Sequence, residues 1–478
     1  MVHDLLSYAL LLMGILWLYV ILIWVWPPHQ AAPGHTDRQP ANRASRRLQD
    51  PKPFSGLTHK PCCVACEHAA QASAVQSPPM PPLPITSTRG RRHQVDTSAH
   101  FCPNPHCEYR GWVGLGNLCA NGHPSGGPWR QWHCIVCGGY FLETQGTPFH
   151  GKRVPPERLV WAVAALAEGL GIRAVARVFE VDPNTVLRWL IEAADQATAF
   201  SQHFLHDVHV DQVQLDELFA LLSAVKVGEV SNAEATQRLT RSPHWVWGAI
   251  DPVTKLLLAL DIGDRTLEMA QCLVHGVVEV LAPGCVPLFI TDGFKEYATA
   301  LLTHFGSWVQ PPRRQVQGPT PKPRWMPLPA LLYAQVVKQY RRRRVVRVHH
   351  RVVFGTLAGV KQVLAAQGWQ INTAFIERAN LSIRQHVAAI GRRVMTLCKG
   401  EAGLRQQLSL YHTYYNFCLP HTGLRLSLPR PLPTHGTGSA KRWQPRTPAM
   451  AAGLTDRVWT LREVLRFRVP PWPQPQGL

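Results

Sequence analysis

Two close cysteine pairs, Cys102 with Cys107 and Cys134 with Cys137, limit what this chain can fold into more tightly than any other feature. They lie in FCPNPHCEYRGW and WHCIVCGGYF with 26 residues between the pairs, and a segment that short has too little core to fold without a staple. Four thiolates carried on two turns are the usual donor set for a tetrahedral Zn²⁺, so residues 96–150 are expected to form a zinc ribbon. Cys119 and His123 lie between the pairs, and either could replace one of the four. Eight of the twelve cysteines fall between Cys62 and Cys137, which excludes a disulfide scaffold with bridges spread through a secreted chain. Cys272, Cys285, Cys398 and Cys418 stand alone in apolar surroundings, as small buried hydrophobes do. Cys62, Cys63 and Cys66 offer only three ligands and are equally consistent with unliganded or redox-sensitive thiols.

With 478 residues, 46% of them hydrophobic and 17% charged, the chain can build two or three domains and is neither disordered nor fibrous. A net charge of +20 points to a polyanionic partner, either nucleic acid or an anionic membrane. Leu5 to Trp26 reads LLSYALLLMGILWLYVILIWVW, 22 residues without a charge, long enough at about 1.5 Å per residue to cross a hydrocarbon core of about 30 Å. Residues 1–30 are therefore expected to be a transmembrane anchor, giving membrane association through residues 5–26. A cleavable signal peptide fits less well, because Met1–Asp4 is not basic and the run exceeds the usual 7 to 15 or so. Arg38, Arg43, Arg46, Arg47, Lys52 and Lys60 follow it, so the rest of the chain is expected in the cytoplasm, tethered to the inner face of the cell membrane. Residues 31–95, with PPMPPLP at 78–84, carry no helical or strand period and are expected to be a disordered linker.

Residues 151–200 have a helical texture: PERLVWAVAALAEGL, IRAVARVFEV and DPNTVLRWLIEAADQA. Asp182 can cap the last of these, Pro183 takes its first position, and Val186, Leu187 and Leu190 recur on an apolar side. The short EVD connection predicts a helix-turn-helix whose final helix presents Asn184, Thr185 and Arg188 to base edges in a DNA major groove.

From about residue 205 strand patterns appear in DVHVDQVQLDEL, HWVWGAIDP, KLLLALDIG and VPLFITDG, interleaved with helices such as TLEMAQCLVHGVVEVL. This is a mixed α/β sheet domain, expected to span residues 205–425. Asp216 ends VQL in phase with Gln212 and Gln214, and Asp292 ends PLFIT. Glu377 lies on a helix that Asn372 or Thr373 caps and Gly391 stops, sharing one face with Asn380 and Arg384 while Phe375, Ala379 and Ile383 form the other. Two strand-end acids and one helical acid suit a pair of hard divalent cations, Mg²⁺ or Mn²⁺, acting on a phosphodiester backbone. Asp251, Asp261 and Asp264 read as turn residues, and Glu217, adjacent to Asp216 on a strand, is expected to face away.

DEL at Asp216, TDG at Asp292 and NTAFIERAN through Glu377 resemble the DDE transposases of bacterial insertion sequences, of the type with an amino-terminal zinc ribbon and helix-turn-helix. The resemblance covers roughly residues 100–425, and YYNFCLPH at 414–421 is similar to the helix that follows the triad in many integrases. It implies an RNase H-like fold, recognition of terminal inverted repeats, and metal-dependent strand cleavage and transfer. It also implies Asp216, Asp292 and Glu377 as the metal triad, with Arg378, Asn380 and Arg384 supporting groups near the DNA. Two departures stand out: the apolar amino terminus, and the 84 residues between Asp292 and Glu377. The latter contain a basic insertion, about 309–355, whose Arg341, Arg342, Arg343 and Arg344 alternate onward with valines, as in a strand pair lying on phosphates. Paired DNA ends imply at least a dimer. The competing reading is a membrane-tethered DNA-binding regulator with an inactive transposase-derived domain, and residues 426–478 are expected to be a tail without chemistry.

Overall fold

In a computed structural model, residues 96–97, 99–220, 244–313, 321–342, 344–390, 400–433, 438–472 and 474 are described. The apolar segment 5–26, the linker with Cys62, Cys63 and Cys66, and Arg343, Gly391 and Cys398 lie outside them. Among the described residues no helix is long and apolar enough to cross a membrane.

The cysteine-rich segment forms a three-stranded antiparallel sheet of β1 (Leu118–Ala120), β2 (Gln131–Cys134) and β3 (Tyr140–Leu142). Its small core is Tyr109, Trp112, Leu115, Leu118, Trp132 and Phe141 packed around Cys102, Cys107 and Cys134. Three helices follow: α1 (Pro156–Ala167), α2 (Ile172–Val178) and α3 (Pro183–Phe204). Asp182 caps α3 by accepting from the Asn184 amide at 2.8 Å. Leu159, Val163, Val175, Val186, Trp189 and Leu190 are buried between the helices. Leu187, expected on the apolar side, is exposed, and Trp189 takes the buried position. Helix α3 also runs beyond the expected limit at residue 200, to Phe204. Its Phe200 packs edge-on against Phe417, Trp459 and Phe467 at centroid distances of 5.1, 5.0 and 5.3 Å. This one helix therefore belongs to two cores.

The α/β body consists of β4 (Gln212–Phe219), β5 (His244–Ile250), β6 (Leu257–Asp264), α4 (Leu267–Val280), β7 (Leu288–Thr291) and α5 (Glu296–His304), then the small antiparallel pair β8 (Gly306–Val309) and β9 (Arg324–Pro327). After these come β10 (Leu332–Arg341), β11 (Arg344–Phe354), α6 (Leu357–Ala365), α7 (Ala374–His386) and α8 (Glu401–Thr413), which continues as a π-turn over Tyr414–Cys418. The main sheet is six-stranded and mixed, in the order β11-β10-β7-β4-β5-β6, with β4 parallel to β7, β7 parallel to β10 and the other pairs antiparallel. Residues 309–355 are thus not simply an inserted appendage, because β10 and β11 complete one side of the sheet. Helices α4 and α5 cover one face through Leu273, Val277 and Leu301 on Val213, Leu215 and Phe289, and α7 and α8 cover the other through Ile376, Ile383 and Leu408 on Leu218 and Val246. Asp251 organises the β5–β6 turn by accepting from the Val253 and Thr254 amides at 2.9 and 3.0 Å. Asn416, fully buried in the π-turn, accepts from the Leu257 amide at 3.0 Å and donates to its carbonyl at 2.9 Å, tying α8 to the outer strand β6.

The carboxy-terminal residues form β12 (Leu426–Leu432) paired with β13 (Lys441–Gln444), then α9 (Pro448–Ala451) and α10 (Leu461–Arg466). Far from being a free tail, they bind the parts together. Trp459 and Val464 enter the α/β core, and Leu461 and Leu465 enter the core of α1–α3. Arg468 donates to the Phe101 carbonyl at 3.1 Å, with its guanidinium 4.2 Å from the Phe101 ring centre, and the Trp472 ring meets Trp112 at a tilt of 50° with centroids 6.1 Å apart.

Candidate functional site

Parallel pairing of β4 with β7 runs from Gln212–Leu288 to Leu215–Thr291 and stops there. Asp216 and Glu217 therefore follow the last paired residue on that side of β4, and Asp292 follows the last residue of β7. Asp216 lies inside its strand, which continues to Phe219, and not at its end as expected. The edge between β4 and β7 is open at this point, so side chains leaving β4 on opposite faces can both reach it. The carboxylate oxygens of Asp216, Glu217 and Asp292 all come within 4.8 Å of one another. Strict alternation predicts that Glu217 faces away. Its backbone obeys that rule, placing the side chain on the α4–α5 face, but its longer arm returns to the open edge.

The acids are held individually. Asp292 accepts from the Phe294 amide at 2.8 Å, and Asp216 accepts from the Asn380 side chain at 2.9 Å. Glu217 has a side chain only 1% exposed, and its Oε2 lies 3.4 Å from Arg265, which is also 3.6 Å from Asp292. Burial first, then the Asp292 charge, pushes the Asp216 carboxyl up to about 6. The same two causes push Glu217 up to about 7, against the pull of Arg265. Two buried carboxyls with raised values, converging on the Asp292 carboxylate, are a donor set that suits a hard divalent cation.

Glu377 stands outside this group and is 48% exposed, ion-paired to Lys338 of β10 and accepting from the Thr373 hydroxyl at 2.8 Å. Its helix is placed by a residue whose role was not apparent in the sequence. Gln214, fully buried on β4, accepts from the Phe375 and Ile376 amides at 3.2 and 3.1 Å and donates to the Asn372 carbonyl at 3.0 Å. It satisfies otherwise orphaned amides at the start of α7. The available signal was a polar residue in phase with Asp216 in an apolar run. Gly248, opposite Asp216 in the register, admits the helix closely, since a Cβ there would meet Ile376 Cδ1 at 3.3 Å. The helix ends at His386, earlier than a stop at Gly391 would give, and its core residue is Ile376, with Phe375 half-buried. Arg378 is exposed and Arg384 half-buried.

Strand β10 leaves β7 after Gln335–Thr291, while its pairing with β11 continues to Arg341–Arg344. Val336 to Arg341 therefore run roughly 20 Å past the end of β7 at about 3.3 Å per residue, on the same side as the acids, and only the part beyond Lys338 stands clear of the body. The tip turns at Arg342, where φ is +48°, and Arg341, Arg342, Arg344 and Arg347 are exposed together with Val345, Val346 and Val348. On α3, Asn184 and Arg188 are exposed and Thr185 is half-buried.

A second donor set is the four cysteines, with all sulfurs within 4.8 Å. Cys102–Cys137 and Cys107–Cys134 are 3.7 and 3.9 Å apart, and a tetrahedral ion with Zn–S bonds of about 2.3 Å needs edges of about 3.8 Å. Burial raises the Cys102 thiol well above its ordinary value and Cys107 to about 11; at Cys137 burial also acts upward, but hydrogen bonds from Asn104 and the Gly139 amide bring it to about 7. Asn117 donates to Cys134 Sγ at 3.5 Å. Cys119 lies on β1 opposite His133, and His123 contacts the Gly127 carbonyl at 3.2 Å, so neither belongs to the cluster.

The raised carboxyl values set a pH dependence. Both exceed the ordinary carboxylate range, so the ionised pair works against the cation-free fold above those values, and cation binding must displace protons below them. Mg²⁺ affinity is expected to rise as pH increases from about 5 to about 7.5 and then level off. Calorimetry in buffers of different ionisation heats should find protons released near pH 6 and almost none near pH 8.5. Equal proton release at both would mean that these carboxyls do not take the ion.

No family model matches the chain, and no curated protein matches it. Among solved structures it is similar to one titled "Crystal structure of the Mos1 Strand Transfer Complex", with 12% sequence identity over 51% of this chain and 81% of that one. The TM-score is 0.14, a likeness too weak to carry any argument about this protein.

Proposed function

We propose that the protein is a metal-dependent polynucleotidyl transferase, a DDE transposase that binds the terminal inverted repeats of an insertion sequence and cleaves and transfers DNA strands. The observation that carries this reading is the convergence of carboxylates from the adjacent central strands β4 and β7 at the end of the sheet from which the arginine-bearing arm projects. The strand order and the helix-borne acid beside that edge support an RNase H-like body. Asp216 and Asp292, with Glu377 close by on α7, hold Mg²⁺ or Mn²⁺. Such ions supply Lewis acidity that activates a water or 3′ hydroxyl and steadies the leaving oxygen.

The remaining residues bind and orient. Asn380 fixes Asp216, while Thr373 and Lys338 hold Glu377. Arg341, Arg342 and Arg344 on the arm, and Arg378 and Arg384 on α7, neutralise phosphates, in keeping with the net charge of +20. Asn184, Thr185 and Arg188 at the start of α3 read base edges from a helix-turn-helix, and Cys102, Cys107, Cys134 and Cys137 hold Zn²⁺ in a ribbon. Two such chains bring a pair of ends together. The expected zinc-ribbon, helix-turn-helix and catalytic spans (96–150, 151–200 and 205–425), the membrane anchor and the cytoplasmic tether belong to this same proposal.

The test is to incubate the purified chain with duplexes carrying the inverted repeats that flank its coding region, a target plasmid and Mg²⁺. Nicking at the repeat boundary and joining to the plasmid are expected. Tight repeat-specific binding with no cleavage in Mg²⁺ or Mn²⁺ would instead identify a DNA-binding regulator.

A further inference from the structure

The geometry points to Glu217, and not Glu377, as the third oxygen ligand of the cation that Asp216 and Asp292 hold, with Arg265 competing for the same carboxylates. This rests on the reading of the site as cation-dependent. Glu217 Oε1 is buried and forms no hydrogen bond of ordinary geometry, its side chain being only 1% exposed, and the buried Tyr297 hydroxyl nearby eases its ionisation only in part. A buried carboxylate oxygen so poorly satisfied is expected to serve a ligand. Its other oxygen has only the long 3.4 Å approach of Arg265. That guanidinium lies 4.4 Å from the Phe294 ring centre and 5.1 Å from that of Trp245, so aromatic faces hold it at the site independently of the acids. Glu377 is placed differently: half-exposed, engaged by Lys338 and Thr373, and not among the three carboxylates that converge within 4.8 Å. It remains the candidate ligand for a second cation. Two adjacent strand residues thus contribute to one site from opposite faces of the sheet, because the strand edge between those faces is open.

The test needs no DNA and no turnover. Free and bound Mn²⁺ are counted by electron paramagnetic resonance in titrations of the full chain and of Glu217→Gln, Glu377→Gln and Arg265→Gln. Glu217→Gln is expected to weaken the first Mn²⁺ by more than about a hundredfold, above the upper end of a typical outer-shell loss. Glu377→Gln should leave that first affinity within about twofold, well inside an outer-shell loss, and Arg265→Gln should tighten it by removing a rival cation. Glu217→Asp, which keeps the charge and shortens the reach, should fall between wild type and Glu217→Gln and serves if the amide does not fold. Wild-type affinity in Glu217→Gln, or loss of the first site in Glu377→Gln, overturns the assignment. If Mn²⁺ follows the expected pattern while repeat-bearing DNA is never cut, the assignment stands and the transposase reading fails. If wild type takes up no Mn²⁺ with or without duplex DNA, both fail.

Discussion

Asp216→Asn, Asp292→Asn and Glu377→Gln should each abolish cleavage of repeat-bearing duplex, by about 10³-fold or more, while leaving its binding nearly unchanged. The amides keep the shape of the acids and remove the charge that balances the cations. Binding rests elsewhere, on the start of α3 and the arm of β10 and β11, so a gel shift should not register the change. Because the three acids act as one unit, the triple variant should be little worse than any single one. Asp264→Asn is the control, an exposed acid at the end of β6 that is not among the convergent carboxylates. Wild-type cleavage by any triad variant, with loss in the control, would place the chemistry elsewhere.

Stripping metal from the four cysteines, by chelation or by Cys134→Ser with Cys137→Ser, should unfold residues 96–150 and abolish repeat-specific binding. Apart from the thiols that core is six apolar side chains, whereas binding of structural Zn²⁺ in small peptides is worth about 10–16 kcal/mol. The loss should also spread to the other end of the chain. Arg468 bonds to Phe101, and Gln474 donates to the Gly111 carbonyl at 3.0 Å, so residues 468–474 should become protease-sensitive together with the cysteine-rich segment. Zinc stoichiometry, limited proteolysis and gel shift measure the three effects. A metal-free protein that binds the repeats with unchanged affinity would refute the zinc assignment.

Reading a strand such as β7 from PLFIT requires only its neighbours in the chain, because a strand covered by helices on both faces is apolar throughout and ends where a turn begins. Asp292 was legible for that reason, and so was the Asp251 turn. The four cysteines were legible because thiol pairs at short spacing have few other uses. Glu217 was misjudged, since alternation describes where a side chain leaves the backbone and not where its carboxylate ends. That depends on β7 stopping at Thr291 and leaving the edge open. Leu187 was misjudged because helical spacing admits more than one apolar stripe, and the neighbouring helices select Trp189.

What the sequence determines by itself is local: the α/β texture, the four-cysteine donor set, the cap at Asp182, and runs of positive charge suited to a polyanion. Each depends on residues close together in the chain, where spacing alone sets the geometry. Only the tertiary structure decides that residues 309–355 supply two strands of the main sheet, that Gln214 positions the helix of Glu377, and that the carboxy-terminal residues fasten the cysteine-rich segment to the body. Those facts depend on pairings between residues 100 or more positions apart or on strand order, and no periodicity encodes which distant partner a strand edge or a buried amide will meet.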